Sequence, residues 1–295
     1  MGFDEELIER ANKINDIIID NLPTVQGEQK LLLEAINYSV RVGGKRVRPM
    51  LMLETYKLCR GQNEKEVYPY MAALEYIHTY SLVHDDLPAM DNDDYRRGNL
   101  TTHKKFGEDF GILAGDGLLN YAYEVMMNAI LHSKDMQKNA KAGSIIAQKA
   151  GIYGMVGGQS VDVWLTDKAV SQNDLEFIFQ CKTGALIEAA FMAGGVLAGA
   201  GDDTVKQLEK AGNLVGVAFQ IKDDILDITS TQEQFGKPVL SDERNKKTTY
   251  VTLYGMEKAN EDVIKMSKKA EDIVRNIGDN IFLVELINKL INRIN

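Results

Sequence analysis

Residues 67–91 read VYPYMAALEYIHTYSLVHDDLPAMD and carry the pattern that decides the fold. Apolar, aromatic and small polar residues recur in it at spacings of three and four, the period of one face of an α-helix. They are Met71, Leu74, Ile77, Tyr80, Ser81 and His84. Pro88 disfavours helical backbone at Leu87. The stretch therefore predicts a long helix, over about 67–87, that delivers two aspartates at its end.

Helical periodicity extends over most of the remaining chain. Five prolines in 295 residues leave long stretches without a helix breaker, and strand-like alternation between hairpin turns is hard to find. Further helices are predicted over 3–20, 31–42, 110–131, 139–152, 171–198, 203–228, 258–277 and 279–291, and Pro49 marks the start of another. No spacer or fixed-period repeat interrupts them, which predicts one all-α domain over 1–295, a helical bundle.

Composition excludes several classes of protein. With 34 Lys and Arg against 43 Asp and Glu, the net charge is -9, so no attraction to nucleic acid or anionic membrane is expected. Cys59 and Cys181 form no disulfide framework, which favours a reducing, cytoplasmic location. The first residues are acidic and lack the apolar run of an export signal. The longest apolar run, 189–200, is too short to span a membrane and predicts a buried helix.

The second acidic cluster, Asp223-Asp224-Ile-Leu-Asp227, has the spacing of a helix face. Asp223 and Asp227 are four positions apart, so a helix places both carboxylates on one side, one turn apart. A solvated acidic face would explain such a spacing. However, the neighbouring residues in AFQIKDDILDI are mostly apolar, and carboxylates in such surroundings need compensating charge. A divalent cation would supply it.

The first cluster needs a bend. Asp85 and Asp91 are six positions apart and would point about 120° away from each other on a continuous helix. Pro88 lets the chain turn, so Asp91 is expected to fold back towards Asp85. The alternative is an acidic helix end followed by a charged loop. Carboxylates that each give one or two oxygens suit magnesium shared with phosphate, so the pair of clusters implies a phosphorylated substrate.

Four basic segments stand out in this acidic chain. They are GGKRVRP at 43–49, Arg96-Arg97-Gly98, Lys182-Thr183-Gly184 and FGKP at 235–238. Each alone could be ordinary surface charge. Together with the acidic clusters, and with AGDGLL at 114–119 and GGQ at 157–159, the segments resemble trans-isoprenyl diphosphate synthases, most closely the bacterial farnesyl diphosphate branch. The resemblance runs from Gly43 to about Thr249 and implies an isoprenoid synthase fold around a central active-site cavity.

The resemblance implies a head-to-tail condensation of isopentenyl diphosphate with dimethylallyl and geranyl diphosphate. The allylic diphosphate would be held through magnesium, three ions per site, by Asp85, Asp91 and Asp223, with Asp86, Asp224 and Asp227 in support. Its phosphate oxygens would contact Arg96, Lys182 and Lys237. Isopentenyl diphosphate would lie against Gly44, Lys45, Arg48, His78 and Arg97. The Lys182 carbonyl, the Thr183 hydroxyl and the Gln220 amide oxygen would stabilise the allylic carbocation.

Other positions receive finer predictions. Tyr80, with Ser81 and Ile77, would limit the growing chain and favour a fifteen-carbon product. Gln159 and Asp162 would line the cavity and position a basic group. His84, His103 and Cys181 are predicted to be structural.

Two other functions fit the same motifs. A synthase of geranylgeranyl or longer diphosphates should have a smaller side chain at position 80, where this chain has tyrosine. A non-catalytic subunit of a heteromeric synthase would not need all of the acidic and basic positions. A helical scaffold or acidic metal buffer would not need basic residues beside the acids. The family is usually homodimeric, which implies a homodimer here.

Overall fold

A computed structural model describes residues 2–229 and 248–291 of the protein. The predicted phosphate contact Lys237 lies outside the described residues. The helices are α1 Phe3–Asp20, α2 Lys30–Arg41, α3 Val47–Leu58, α4 Tyr68–Asp85, α5 Thr102–Phe106, α6 Glu108–Leu131, α7 Met136–Ala150, α8 Met155–Trp164, α9 Gln172–Ile178, α10 Ala185–Leu197, α11 Asp202–Thr229, α12 Tyr250–Tyr254, α13 Met256–Ile277 and α14 Ile281–Ile291. The predicted all-α class is confirmed.

Several short elements in the described part of the chain differ from the predictions. A two-stranded antiparallel hairpin joins β1, Tyr95–Arg96, to β2, Asn99–Leu100, and its strands are too short to show alternation. Helix α8 was not predicted, because the glycines in its sequence MVGGQSVDVW lower helix propensity. The predicted helix over 171–198 instead contains a π-helical segment, Phe179–Gly184, between α9 and α10.

The described structure divides into two compact units. Unit 1 comprises Met1–Leu53 and Gln62–Gly143, and unit 2 comprises Glu54–Gly61 and Ser144–Asn295. The single domain over 1–295 stays a prediction. None of the helices in the described part of the chain is long and apolar enough to cross a membrane. Both cysteines are free thiols, and the cytoplasmic location stays a prediction.

Helix α4 forms the core of unit 1. It packs on α6, α1 and α2, and it is buried nearly all round from Tyr70 to Val83, as expected for a central helix. Two buried tyrosine hydroxyls on it are satisfied: Tyr70 donates to the Asn139 side chain over 2.9 Å and Tyr76 to the Ile18 carbonyl over 2.7 Å. The acidic end of α4 therefore projects from a rigid element.

In unit 2, α11 packs on both α10 and α13, and two glycines bring α10 very close. A Cβ on Gly212 would lie 2.7 Å from Glu188 Cα, and one on Gly216 would lie 2.6 Å from Gly184 Cα. Helix α10 is buried along its length, so the buried helix predicted over 189–200 is confirmed as far as Leu197, where α10 ends. Close backbone contact thus fixes α11 against the segment that carries Lys182 and Thr183.

The π-helical segment is also held from its other side. A Cβ on Gly158 of α8 would lie 2.2 Å from the Lys182 backbone nitrogen and 2.8 Å from the Cys181 carbonyl carbon. Single π-helical turns often occur at functional sites. The second glycine of the GGQ motif, Gly158, is therefore required by backbone contact.

Replacing Gly158 with alanine should displace the π-helical segment. We expect Gly158→Ala to lower the free energy of unfolding by about 1–3 kcal/mol in urea denaturation, because the new methyl group has no room. Gly143→Ala in α7 is the matched control, since its Cβ would meet Ile130 and Tyr70 only at 3.4 and 3.9 Å. Equal stability of the two variants would contradict the steric argument.

Candidate active site

The first acidic cluster lies where α4 ends. Asp85 is the last helical residue, and the chain turns back through Pro88, so that the Asp91 N–H donates to the Asp85 carbonyl over 2.8 Å. The Asn92 N–H likewise donates to the Leu87 carbonyl over 3.1 Å. The predicted return of Asp91 towards Asp85 is confirmed.

Asp86 points inward and binds Arg96. The Arg96 Nε lies 2.8 and 2.9 Å from the two carboxylate oxygens, and Nη2 lies 2.5 Å from Oδ1. Asp86 is only 3% exposed, and burial raises the pKa of its carboxyl while Arg96 opposes the rise. Both carboxylate oxygens of Asp86, a predicted metal ligand, therefore accept hydrogen bonds from Arg96, a predicted phosphate contact.

The β1–β2 hairpin separates two neighbouring arginines. Arg97 and Gly98 form its turn, both with positive φ (54° and 76°), as a two-residue type I′ turn requires. Arg96 reaches Asp86, whereas the Arg97 guanidinium lies against Gly44, where a Cβ would approach it to 2.5 Å. Gly44 has φ +153°, a conformation that favours glycine. Arg96 and Arg97 therefore contact different residues of unit 1.

Positive charge gathers around His78. Burial lowers the pKa of His78 well below its usual value, and Arg48, Arg97, Arg96 and Arg46 lower it further. The predicted isopentenyl diphosphate residues Arg48, His78 and Arg97 are therefore brought together, with Gly44 against Arg97. Lys45, the fifth of them, is exposed. The buried Nε of Arg48 has no hydrogen-bond partner among the described residues.

Arg46 and Glu75 belong to this cluster and were not predicted. Arg46 is buried, and it donates to Glu75 over 2.7 Å, to the Val40 carbonyl over 2.6 Å and to Asn15 over 3.1 Å. A glutamate inside the apolar run MAALEYI was the available signal, because a buried carboxylate needs a positive partner. Glu75 is the buried counter-charge of the arginine cluster.

The predicted chain-length residues all lie on α4. Tyr80 and Ile77 are buried, and Ser81 donates to the His78 carbonyl over 2.8 Å. The rings of Tyr80 and His84 pack edge-on, with their centroids 5.8 Å apart. Burial, then Tyr123 and Asp85, raise the pKa of Tyr80 to about 12, so the ring is neutral at pH 7. Tyr80 thus provides a bulky, uncharged side chain five residues before Asp85.

His84 and His103 make structural contacts. The Nε2 atom of His84 lies 3.1 Å from the Ile112 carbonyl oxygen. Gly115 leaves room for the His84 ring, since a Cβ on Gly115 would lie 2.0 Å from the same Nε2 atom. His103 is buried, with Nδ1 3.1 Å from the Thr101 hydroxyl. Gly115 belongs to the AGDGLL motif, so packing of His84 accounts for one of its glycines.

Unit 2 carries the second group of predicted residues. Asp162 binds Lys182, with Oδ2 2.6 Å from Nζ, so the prediction that Asp162 positions a basic group is confirmed. The Thr183 hydroxyl donates to the Gln220 amide oxygen over 2.9 Å. All four line one pocket, together with Asp224 and apolar side chains such as Phe179. Gln159 is half-buried, and its role stays a prediction.

The second acidic cluster lies on α11, as predicted. Asp223 is half-buried, whereas Asp224 and Asp227 are 3% and 5% exposed. Cys181 lies in the π-helical segment, and burial raises the pKa of its thiol, which argues against an activated thiolate. Metal ligation by Asp223 and Asp227 stays a prediction.

In each unit, the predicted carboxylates are of the type that suits magnesium shared with phosphate. Across residues 2–229 and 248–291, no three His, Cys, Asp or Glu side chains lie together as a ready-made metal site. Magnesium commonly binds through one or two carboxylates while keeping water and phosphate oxygens as its other ligands. Asp85 and Asp91, on a turned helix end, and Asp223, half-buried on α11, offer hard oxygen donors of this kind.

Comparison with known proteins agrees with these features. The sequence profile of the polyprenyl synthetase family matches residues 29–281. The farnesyl diphosphate synthase of Micrococcus luteus is 42% identical over 285 residues, 96% of this chain and 95% of that protein. The geranylgeranyl diphosphate synthase of Cyanophora paradoxa is 39% identical over 98% of this chain and 96% of that protein.

A solved structure extends the likeness to the fold. The geranyltransferase of Helicobacter pylori, crystallised with magnesium and isoprenyl diphosphate, superposes with a TM-score of 0.84 at 30% identity and covers 99% of this chain and 97% of that one. The predicted isoprenoid synthase fold is confirmed. Since the family profile spans well over half of its length, the chain belongs to the polyprenyl synthetase family.

Proposed function

We propose that the protein is a farnesyl diphosphate synthase, which condenses isopentenyl diphosphate head-to-tail with dimethylallyl and then geranyl diphosphate. The observation that carries the proposal is that acidic and basic residues form two separate groups in unit 1. Aspartates stand at the turned end of α4, while arginines crowd around His78. Two separate groups of charged residues suit two diphosphates, of which one leaves in the reaction and the other is kept. The sequence identity to the Micrococcus luteus enzyme supports the fifteen-carbon product.

The arginine cluster suits isopentenyl diphosphate, which keeps its diphosphate during the reaction. Arg48 and Arg97 provide charge and forked donors that match phosphate oxygens. His78 is neutral at pH 7, because its pKa is lowered, so it can donate a hydrogen bond without adding repulsion among the arginines. Gly44 and Lys45 complete the group.

The allylic diphosphate must leave, so it needs stronger stabilisation of negative charge. We assign it to Asp85, Asp91 and Asp223 through three magnesium ions, with Asp86 and Asp227 supporting the arrangement. Bound magnesium would draw off the negative charge that develops on the departing pyrophosphate. Arg96, held by Asp86, and Lys182, held by Asp162, would bind phosphate oxygens in fixed positions, together with Lys237.

The remaining residues act on the organic part of the substrate. When the allylic carbon–oxygen bond breaks, the Thr183 and Gln220 oxygens and the Lys182 carbonyl face the carbocation and stabilise it electrostatically. The isopentenyl double bond then attacks the cation, forming the new carbon–carbon bond. Loss of a proton, with the departed pyrophosphate as acceptor, restores a double bond.

A geranylgeranyl diphosphate synthase is the second candidate, because the Cyanophora paradoxa relative is 39% identical. The buried ring of Tyr80 favours the shorter product, since it occupies space five residues before Asp85 on α4.

Four exposed apolar side chains on α6 support the homodimer. They are Ile112, Leu113, Met127 and Leu131. Sedimentation at the mass of one 32.9 kDa chain would refute it.

Purified protein with magnesium should convert geranyl and isopentenyl diphosphates into farnesyl diphosphate. Chromatography of the dephosphorylated products measures it, and chelation of the metal should abolish turnover because the aspartates bind the leaving group through it. Failure to condense any allylic starter would contradict the enzyme assignment. A twenty-carbon main product would contradict only the chain-length assignment.

Tyr80→Ala should lengthen the main product to twenty carbons or more, because removal of the ring opens space along α4. Tyr80→Phe is the matched control: it keeps the ring and should keep the fifteen-carbon product. The same chromatographic assay distinguishes them. Unchanged chain length in Tyr80→Ala would mean that another side chain forms the floor.

A further inference from the structure

Asp224 is the middle carboxylate of the second acidic cluster, and its surroundings differ from those of Asp223. Adjacent residues on a helix point about 100° apart, so the two carboxylates cannot face the same way. Asp223 is half-buried, whereas Asp224 is 3% exposed. A different role for Asp224 therefore has to be considered.

Both oxygens of Asp224 accept hydrogen bonds from within unit 2. Oδ2 accepts the backbone N–H of Tyr250, the first residue of α12, over 2.7 Å. Oδ1 accepts from the side-chain nitrogen Nε2 of Gln220 over 3.3 Å. Gln220 lies one turn earlier on α11, at the spacing where helix side chains meet. Asp224 thus joins α12 to the Gln220 side chain.

These contacts determine which way the Gln220 amide points. A carboxylate only accepts hydrogen bonds, so the NH₂ group of Gln220 must face Asp224. The amide oxygen consequently faces the opposite side, where the Thr183 hydroxyl donates to it over 2.9 Å. All three side chains line the same pocket. The orientation of both side-chain oxygens that would face the carbocation thus depends on Asp224.

We propose that Asp224 is a positioning residue, which fixes the Gln220 amide and through it the Thr183 hydroxyl, and is not a magnesium ligand. The proposal rests on the proposed function for its effect on turnover. The contacts themselves do not depend on it. Asp224 therefore differs in role from Asp223, its neighbour in the same motif.

Asp224→Asn would disturb the network in a defined way. The Tyr250 N–H is a fixed donor, so the asparagine oxygen must face it, and the asparagine NH₂ group then meets the Gln220 NH₂ group. Gln220 has to flip, which turns its oxygen away from Thr183. We expect kcat to fall at least about tenfold, as for other displaced groups in active sites. The half-saturating magnesium concentration should stay within twofold of the wild-type value.

A reciprocal exchange tests the orientation directly. In Asp224→Asn combined with Gln220→Glu, the asparagine NH₂ group can donate to the glutamate, whose other oxygen accepts from Thr183, and the total charge is unchanged. Gln220→Glu alone would place two carboxylates against each other. The double variant should therefore recover most of the thermal midpoint lost in either single variant.

Asp223→Asn is the matched control, since it removes the same charge from the adjacent residue and should raise the magnesium requirement about tenfold or more. A similar rise in Asp224→Asn, with normal kcat at saturating magnesium, would overturn the proposal, and so would additive effects in the double variant. If Asp224→Asn does not fold, recovery of folding in the double variant supports the proposal and failure overturns it. If the wild-type protein makes no prenyl product, the proposed function fails, while the thermal midpoints still test the pairing.

Discussion

Positive charge crowded around His78 is the constraint on which the rest of this structure depends. Burial lowers the pKa of Arg48 and of Arg97, and neighbouring arginines lower both further. Two buried carboxylates offset part of this charge: Glu75 pairs with Arg46, and Asp86 pairs with Arg96. The Nε of Arg48 remains without a partner among the described residues, so the cluster suits an anionic ligand. In a chain with net charge -9, this local arrangement is what would allow a diphosphate to bind.

Backbone geometry then places the other groups. The end of α4 turns at Pro88 and returns the Asp91 backbone to Asp85, while the hairpin turn at Arg97 and Gly98 sends two neighbouring arginines to different partners. In unit 2, backbone contact at Gly158 holds the π-helical segment. Side-chain pairs then set the orientation of Lys182 and Thr183. The predicted phosphate contacts Arg96 and Lys182 are thus each held by a carboxylate of their own unit, and a side chain held in place in this way loses less freedom on binding.

Local patterns in the sequence predicted local structure well. The helical period of residues 67–87 and the proline after it predicted both α4 and the return of Asp91, and a spacing of four predicted Asp223 and Asp227 on one helix. Pairs between distant residues left no local pattern: Lys182 and Asp162 are 20 positions apart, and Arg46 and Glu75 are 29 apart. Because these pairs depend on packing, the sequence could suggest candidate residues but seldom their partners.

The central claim is that the two diphosphates are bound by different chemistry. Isothermal titration of isopentenyl diphosphate, and of geranyl thiolodiphosphate as an unreactive allylic analogue, should be carried out with magnesium and with a chelator. We predict that the chelator abolishes binding of the allylic analogue and leaves binding of isopentenyl diphosphate intact, because in the proposed function aspartates would hold the first through magnesium and arginines would hold the second directly. Binding of the allylic analogue that is unaffected by the chelator would contradict this account.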